Sequence, residues 1–174
     1  AVTDKPVVIP IDCFVSPEYA RAEGEKLWPN VWQAACRVEE LPKVGDYVTY
    51  DIMDESIIIV RTNAETIRAF YNVCQHRGRR LTKGCGHTNQ FYCRFHGWSW
   101  DIEGRNTFCL DREDWGDAFT DENIALKTVR VDTWGGWVWL CMDPQAEPLL
   151  DYLGPVVEHL GAFEFDKMRF AWRQ

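Results

Sequence analysis

Residues 74–98 read CQHRGRRLTKGCGHTNQFYCRFHGW, and they hold two short donor pairs, Cys74-Gln75-His76 and Cys93-Arg94-Phe95-His96, with sixteen residues between them. Each pair offers one thiolate and one imidazole. Together they supply the ligand set of a two-iron, two-sulfide centre in which imidazoles replace thiolates on one iron. Two loops can close over such a cluster from opposite sides. A glycine, Gly78 or Gly97, follows each histidine, where a missing Cβ lets backbone amides approach the sulfides. Two Cys and two His would also satisfy a tetrahedral zinc site, but the C-x-H half fits the usual C-x(2–4)-C and H-x(3–5)-H pairings poorly. Cys85-Gly86-His87 is a second C-x-H. Only five residues separate it from Cys93, so Cys85 and His87 are expected in a loop, as a free thiol and a surface imidazole.

Asn72-x-Cys74-x-His76-Arg77-Gly78, Leu81 and Cys93-x-x-His96-Gly97-Trp98 resemble the N-terminal Rieske domain of the alpha (large) subunit of Rieske non-haem iron ring-hydroxylating oxygenases, and the resemblance runs from about residue 16 to residue 154. It implies a mainly β fold, a Rieske-type antiparallel β-sandwich with a cluster-binding subdomain and flanking helices at both ends. It implies Cys74, His76, Cys93 and His96 as ligands of a Rieske [2Fe-2S] cluster, with no catalytic residue in this chain. Residues 1–30 would be an arm and helix, 31–145 the Rieske domain, and 146–174 a linker helix and the start of a catalytic domain that lies outside these residues. The implied role is to pass electrons from a reductase or ferredoxin to a mononuclear non-haem Fe(II) in that domain, in the family usually across a subunit boundary of a trimer. There oxygen is inserted into an aromatic or similar hydrophobic substrate. The alternative is a freestanding Rieske-type ferredoxin, although the helix before Pro29 and the tail after Pro144 exceed what a minimal carrier needs.

Respiratory and photosynthetic Rieske proteins carry an extra Cys in each loop, joined as a disulfide; the corresponding places here are Arg79 and Phe95. Trp98 and Trp100 stand where those proteins place hydroxyls. Fewer hydrogen bonds to sulfur leave the reduced cluster less stabilised, which implies a potential near the low end of the Rieske range, about −150 mV.

Lys and Arg number 19 against 27 Asp and Glu, and the net charge of −8 argues against a general affinity for nucleic acid or anionic membranes. No apolar run approaches a bilayer span, and the opening AVTDKPVVIPIDCF lacks a basic segment with an apolar one behind it, so a cytoplasmic protein is expected. Cys13, Cys36, Cys85, Cys109 and Cys141 form no disulfide framework and are expected as reduced thiols, Cys36 and Cys141 buried on strands. Arg77, Arg79, Arg80, Lys83 and Arg94 reverse the charge locally. Either they tie the ligand loops down through ion pairs, or they dock an acidic redox partner.

Along the chain, an arm reaches Val15 and a helix starts at Ser16-Pro17, with Tyr19, Ala20, Ala22, Leu27 and Trp28 as its apolar face and Pro29 as its stop. Strands are expected over 32–38, 47–53, 56–61 and 67–73, with Ile57-Ile58-Ile59-Val60 buried on both faces. Residues 98–105 read as a strand, a glycine turn and a return, and the acid-rich 111–122 as a solvated connection. A hairpin over 126–131 and 137–142 places Trp137 and Trp139 in the core or over the cluster, and a helix spans 148–160. Beyond the two donor pairs only His87 and His159 remain, in no two-His-one-carboxylate spacing, so a mononuclear iron site cannot be built from this sequence. By resemblance, the catalytic domain begins soon after Phe170-Ala171-Trp172.

Overall fold

The computed structural model describes residues 8–117, 119–169 and 171; the first seven residues of the expected arm, and Phe170 and Trp172, lie outside them. Among the described residues the first element is a single helical turn, α1 (Asp12–Val15), where an arm was expected, followed by α2 (Pro17–Lys26) and a 3-10 turn at Trp28–Asn30. Ser16 Oγ accepts the Tyr19 amide at 3.3 Å and Pro17 occupies the first helical position, as the sequence dictates. The expected apolar face is not buried, however: no residue of α2 is, and Tyr19 and Leu27 are exposed. Glu18, Arg21, Glu23, Glu25 and Lys26 run around the helix and leave too narrow an apolar stripe to dock on the sheet.

Ten strands follow. They are β1 (Gln33–Arg37), β2 (Asp46–Ile52), β3 (Glu55–Arg61), β4 (Ile67–Tyr71), β5 (Cys85–His87), β6 (Gln90–Tyr92), β7 (Ser99–Asp101), β8 (Asn106–Phe108), β9 (Thr128–Trp134) and β10 (Trp137–Cys141). Between β8 and β9 the chain makes a 3-10 turn at Arg112–Trp115 and α3 (Asp121–Ile124). Seven strands form one antiparallel sheet in the order β1-β10-β9-β4-β3-β2-β5, and β6-β7-β8 form a second. This is the antiparallel sandwich with a separate ligand-bearing sheet that the sequence implies.

Strand β3 joins the two parts. Successive side chains of a strand point to opposite faces. Ile57 and Ile59 therefore pack with Cys36, Val138 and Leu140, where the large sheet curls β1 and β10 over β2 and β3, while Ile58 and Val60 pack with Phe70, Phe91, Trp98 and Trp100 beneath the small sheet. All four β3 residues are fully buried, each contributing about 1.5–3 kcal/mol. Burial also pushes the Cys36 thiol up to about 12, as suits an inert strand residue.

Three further expectations are corrected. Cys85-Gly86-His87 is an edge strand rather than a loop: it pairs with the free edge of β2, His87 opposite Asp46 and Cys85 opposite Val48, and Cys85 stays exposed. Trp137 is exposed, against expectation, whereas Trp139 packs on the core beside Trp32, Cys141 and Leu149, one of the two places expected for it. The C-terminal helix is broken into α4 (Leu149–Leu153) and α5 (Pro155–Leu160), because Pro155 has no N–H to donate and excludes the helical conformation from Gly154. Among the described residues no helix is long and apolar enough to cross a membrane.

Candidate metal centre

The two donor loops are the same turn built twice. In the first, the Cys74 amide donates to the Arg79 carbonyl at 2.8 Å and the Gly78 amide to the Cys74 carbonyl at 2.9 Å. In the second, the Cys93 amide donates to the Trp98 carbonyl at 2.8 Å and the Gly97 amide to the Cys93 carbonyl at 3.0 Å. Each glycine thus stands four residues after its cysteine, with φ of +70° at Gly78 and +79° at Gly97, a region costly for any residue with a Cβ. A Cβ at Gly78 would come no closer than 4.0 Å to Val73, and one at Gly97 no closer than 3.7 Å to Phe108. What the polypeptide itself requires of these glycines is the left-handed turn.

His76 lies two residues after its cysteine and His96 three, yet the loops bring their Nδ1 atoms to 3.0 Å. In that contact one Nδ1 donates and the other accepts; with both rings protonated on Nε2 instead, the two Nδ1 lone pairs could hold a metal. The thiols are deeper: Cys74 and Cys93 are buried, and their side chains lie within hydrogen-bonding reach of one another. Burial is the first cause that raises the Cys74 thiol, and the neighbouring Cys93 raises it further. The backbone amides of His76 and Arg77 act the other way and lower it, which is the support a metal-bound thiolate needs. For His76, burial and then the His96 ring and Arg77 lower the pKa, so the neutral, ligating form is favoured. Among the described residues no three His, Cys, Asp or Glu gather round a single ion position. The donors instead form a thiol pair and an imidazole pair, the division that two irons require.

Residues with no donor role hold this arrangement, and sequence reasoning missed their part. Asn72 makes all four bonds its amide allows: Nδ2 donates to the Thr82 carbonyl at 2.8 Å and to Ser56 Oγ at 3.1 Å, and Oδ1 accepts from the Leu81 and Thr82 amides at 3.0 and 3.1 Å. A buried Asn directly before a strand-end ligand loop was a signal for such a brace. Trp98 stacks on His76, with centroids 5.0 Å apart and planes 10° apart, and Trp115 meets His76 edge-on at 5.5 Å. Phe119 stacks on Trp115 in turn. No local signal pointed to this cover, because the acid-rich run around Trp115 reads as solvated. The imidazoles open into a depression of about 300 Å³ lined also by Trp98, Leu110, Asp111, Asp114 and Trp115.

The sequence matches the family described as "Rieske [2Fe-2S] domain" over residues 31–109. Residues 31–109 belong to the Rieske [2Fe-2S] domain family. Across nearly its whole length the chain is 31% identical over 164 residues to the glycine betaine monooxygenase oxygenase subunit of Chromohalobacter salexigens, covering 94% of this chain and 36% of the relative. It is 35% identical over 157 residues to the large oxygenase component of the naphthalene 1,2-dioxygenase system of Pseudomonas putida, covering 84% and 35%. Among solved structures it is similar to the quaternary ammonium Rieske monooxygenase CntA, with a TM-score of 0.81 at 29% identity over 89% of this chain and 45% of that one. Naphthalene 1,2-dioxygenase with indole bound gives 0.75 at 33% identity over 82% and 33%. The chain thus spans about a third of the length of the curated relatives it matches. These are oxygenase subunits, and a freestanding Rieske ferredoxin is not favoured.

Proposed function

We propose that this chain is the electron-transfer domain of a Rieske oxygenase, in which Cys74 and Cys93 hold one iron and His76 and His96 the other. The observation that carries the reading is the division of four donors, on two identical turns, into a buried thiol pair and an imidazole pair at 3.0 Å. When bound, the cluster supplies reversible one-electron transfer. The residues of the chain do the rest. The amides of His76 and Arg77 stabilise sulfur charge, Trp98 and Trp115 fix the His76 ring, and the depression at the imidazoles leaves that end accessible.

In this reading residues 1–30 are an arm and helix, 31–145 the Rieske unit and 146–174 a linker. A cytoplasmic reductase or ferredoxin donates the electron. It passes on to a mononuclear non-haem Fe(II) held in the other two thirds of such a protein, in a trimer, where oxygen enters an aromatic or similar hydrophobic substrate. The aromatic class is supported by the naphthalene and dinitrotoluene relatives, beside others named for glycine betaine and carnitine.

A redox titration of the purified protein followed in the visible tests the reading. One electron per chain at a potential near −150 mV is expected, because Trp98 and Trp100 replace the hydroxyls that raise it. A colourless zinc protein, or a potential near +300 mV, would contradict it.

A further inference from the structure

The five cations near the ligand loops do not mainly serve as ties. Arg80 meets Asp51 at 3.0 Å, Arg79 lies over the Phe95 ring at 5.9 Å and Lys83 adds to the field at the same Asp51 carboxylate, but Arg77, Lys83 and Arg94 form no ion pair within 4.0 Å among the described residues. Arg79, Arg80, Lys83 and Arg94 are exposed and line one depression of about 600 Å³ together with the half-buried Tyr47 and Leu81. A smaller hollow adjoins it through Tyr47, Leu81 and Arg94. Between Thr66 and Trp100 stand six Lys or Arg and no Asp or Glu, in a chain whose net charge is −8. The imidazole depression, by contrast, is lined by Asp111 and Asp114. The two ligand loops are thus flanked by surfaces of opposite sign.

We infer that the basic depression, and not the imidazole depression, is the docking surface for the electron donor, and that the donor is an acidic iron–sulfur protein. This deepens the proposed function and rests on it. Charge complementarity selects the partner, since a cationic surface on an anionic protein repels few partners except cationic ones and steers acidic ones to itself. An apolar floor with an arginine rim and a tyrosine is the composition of a protein interface. The position is also short-range to both thiols: Arg94 follows Cys93 directly, and the Arg79 carbonyl accepts the Cys74 amide. On contact one electron leaves the donor's cluster and one ferric iron of the acceptor cluster becomes ferrous; no bond or proton need move.

The test pairs equilibrium binding with reduction kinetics, using an acidic [2Fe-2S] ferredoxin as probe on the cluster-loaded protein at ionic strengths from low to high. The Arg79→Gln/Lys83→Gln double variant and Lys83→Glu are compared with Arg21→Gln, an exposed charge removed on α2. Expected are a fall of about tenfold or more in binding and in the second-order rate for the double variant, and a flattened salt dependence. Lys83→Glu should fall in the same direction, Arg21→Gln should match the wild type, and photoreduction by a neutral deazaflavin should be equal in all. Binding and rates that ignore the two patch variants, or that fall equally for Arg21→Gln, would overturn the inference. So would a DNA duplex that binds at Lys83 while the ferredoxin does not. A chain that assembles no reducible cluster would instead overturn the proposed function, which the photoreduction control reveals separately.

Discussion

The loop from Cys74 to Arg79 and the loop from Cys93 to Trp98 share backbone, hydrogen bonds and glycine position, and differ in what stands at their last residue. Arg79 is an exposed cation, whereas Trp98 is a buried indole stacked on His76. The first loop is held by polar bonds from Asn72, and the second by the small sheet and the aromatic core beneath it. One turn can therefore be anchored in two ways, and the anchoring decides which loop presents charge to solvent. Where other Rieske proteins join such loops by a disulfide, Arg79 and Phe95 meet here in a cation–π contact.

The largest effect expected from this difference is at the last residue. Trp98→Ala should cost about 3–5 kcal/mol in denaturant unfolding, as buried aromatic truncations do, while Arg79→Ala should stay within about 0.5 kcal/mol as a surface change. Similar costs at the two positions would break the comparison. Asn72→Ala comes next: it leaves the Leu81 and Thr82 amides without their acceptor, so about 1–3 kcal/mol is expected in the same assay, with the first loop the more protease-sensitive of the two. Gly78→Ala and Gly97→Ala should each cost about 1–2 kcal/mol, because both need the same left-handed turn. Equal values would sharpen the identity of the turns, and a cost at only one would refute it.

The smallest effect concerns β5, which links the loops. The His87 hydrogen bond, above all, holds the Asp46 carboxyl below its usual value. A depressed carboxylate pKa contributes stability above its unfolded value and loses it as pH falls through the folded one. His87→Gln should therefore raise the Asp46 pKa in an NMR titration and move acid unfolding slightly upward in pH; an unchanged Asp46 titration would show that the pair is incidental.

Much of this was legible in the sequence because it is local. The donor pairs and their glycines lie within five residues of each cysteine, and Ile57 to Val60 is apolar at every position, so a strand buried on both faces followed directly. The failures are contacts that local pattern does not encode. Whether α2 buries its apolar residues depends on a partner surface, and Trp115 reaches His76 across 39 positions from a run that looks solvated. Cys85 to His87 became a strand only because β2 had a free edge. The break at Gly154-Pro155 was readable, and the apolar spacing across it was misleading.

The most direct test of the ligand assignment is low-temperature EPR with iron, sulfide and zinc analysis on the wild type, Cys93→Ser and Cys85→Ser. The account predicts two irons, two sulfides and a signal on reduction in the wild type and in Cys85→Ser, and loss of all three in Cys93→Ser. Zinc without iron, or a signal that survives Cys93→Ser and disappears in Cys85→Ser, would contradict it.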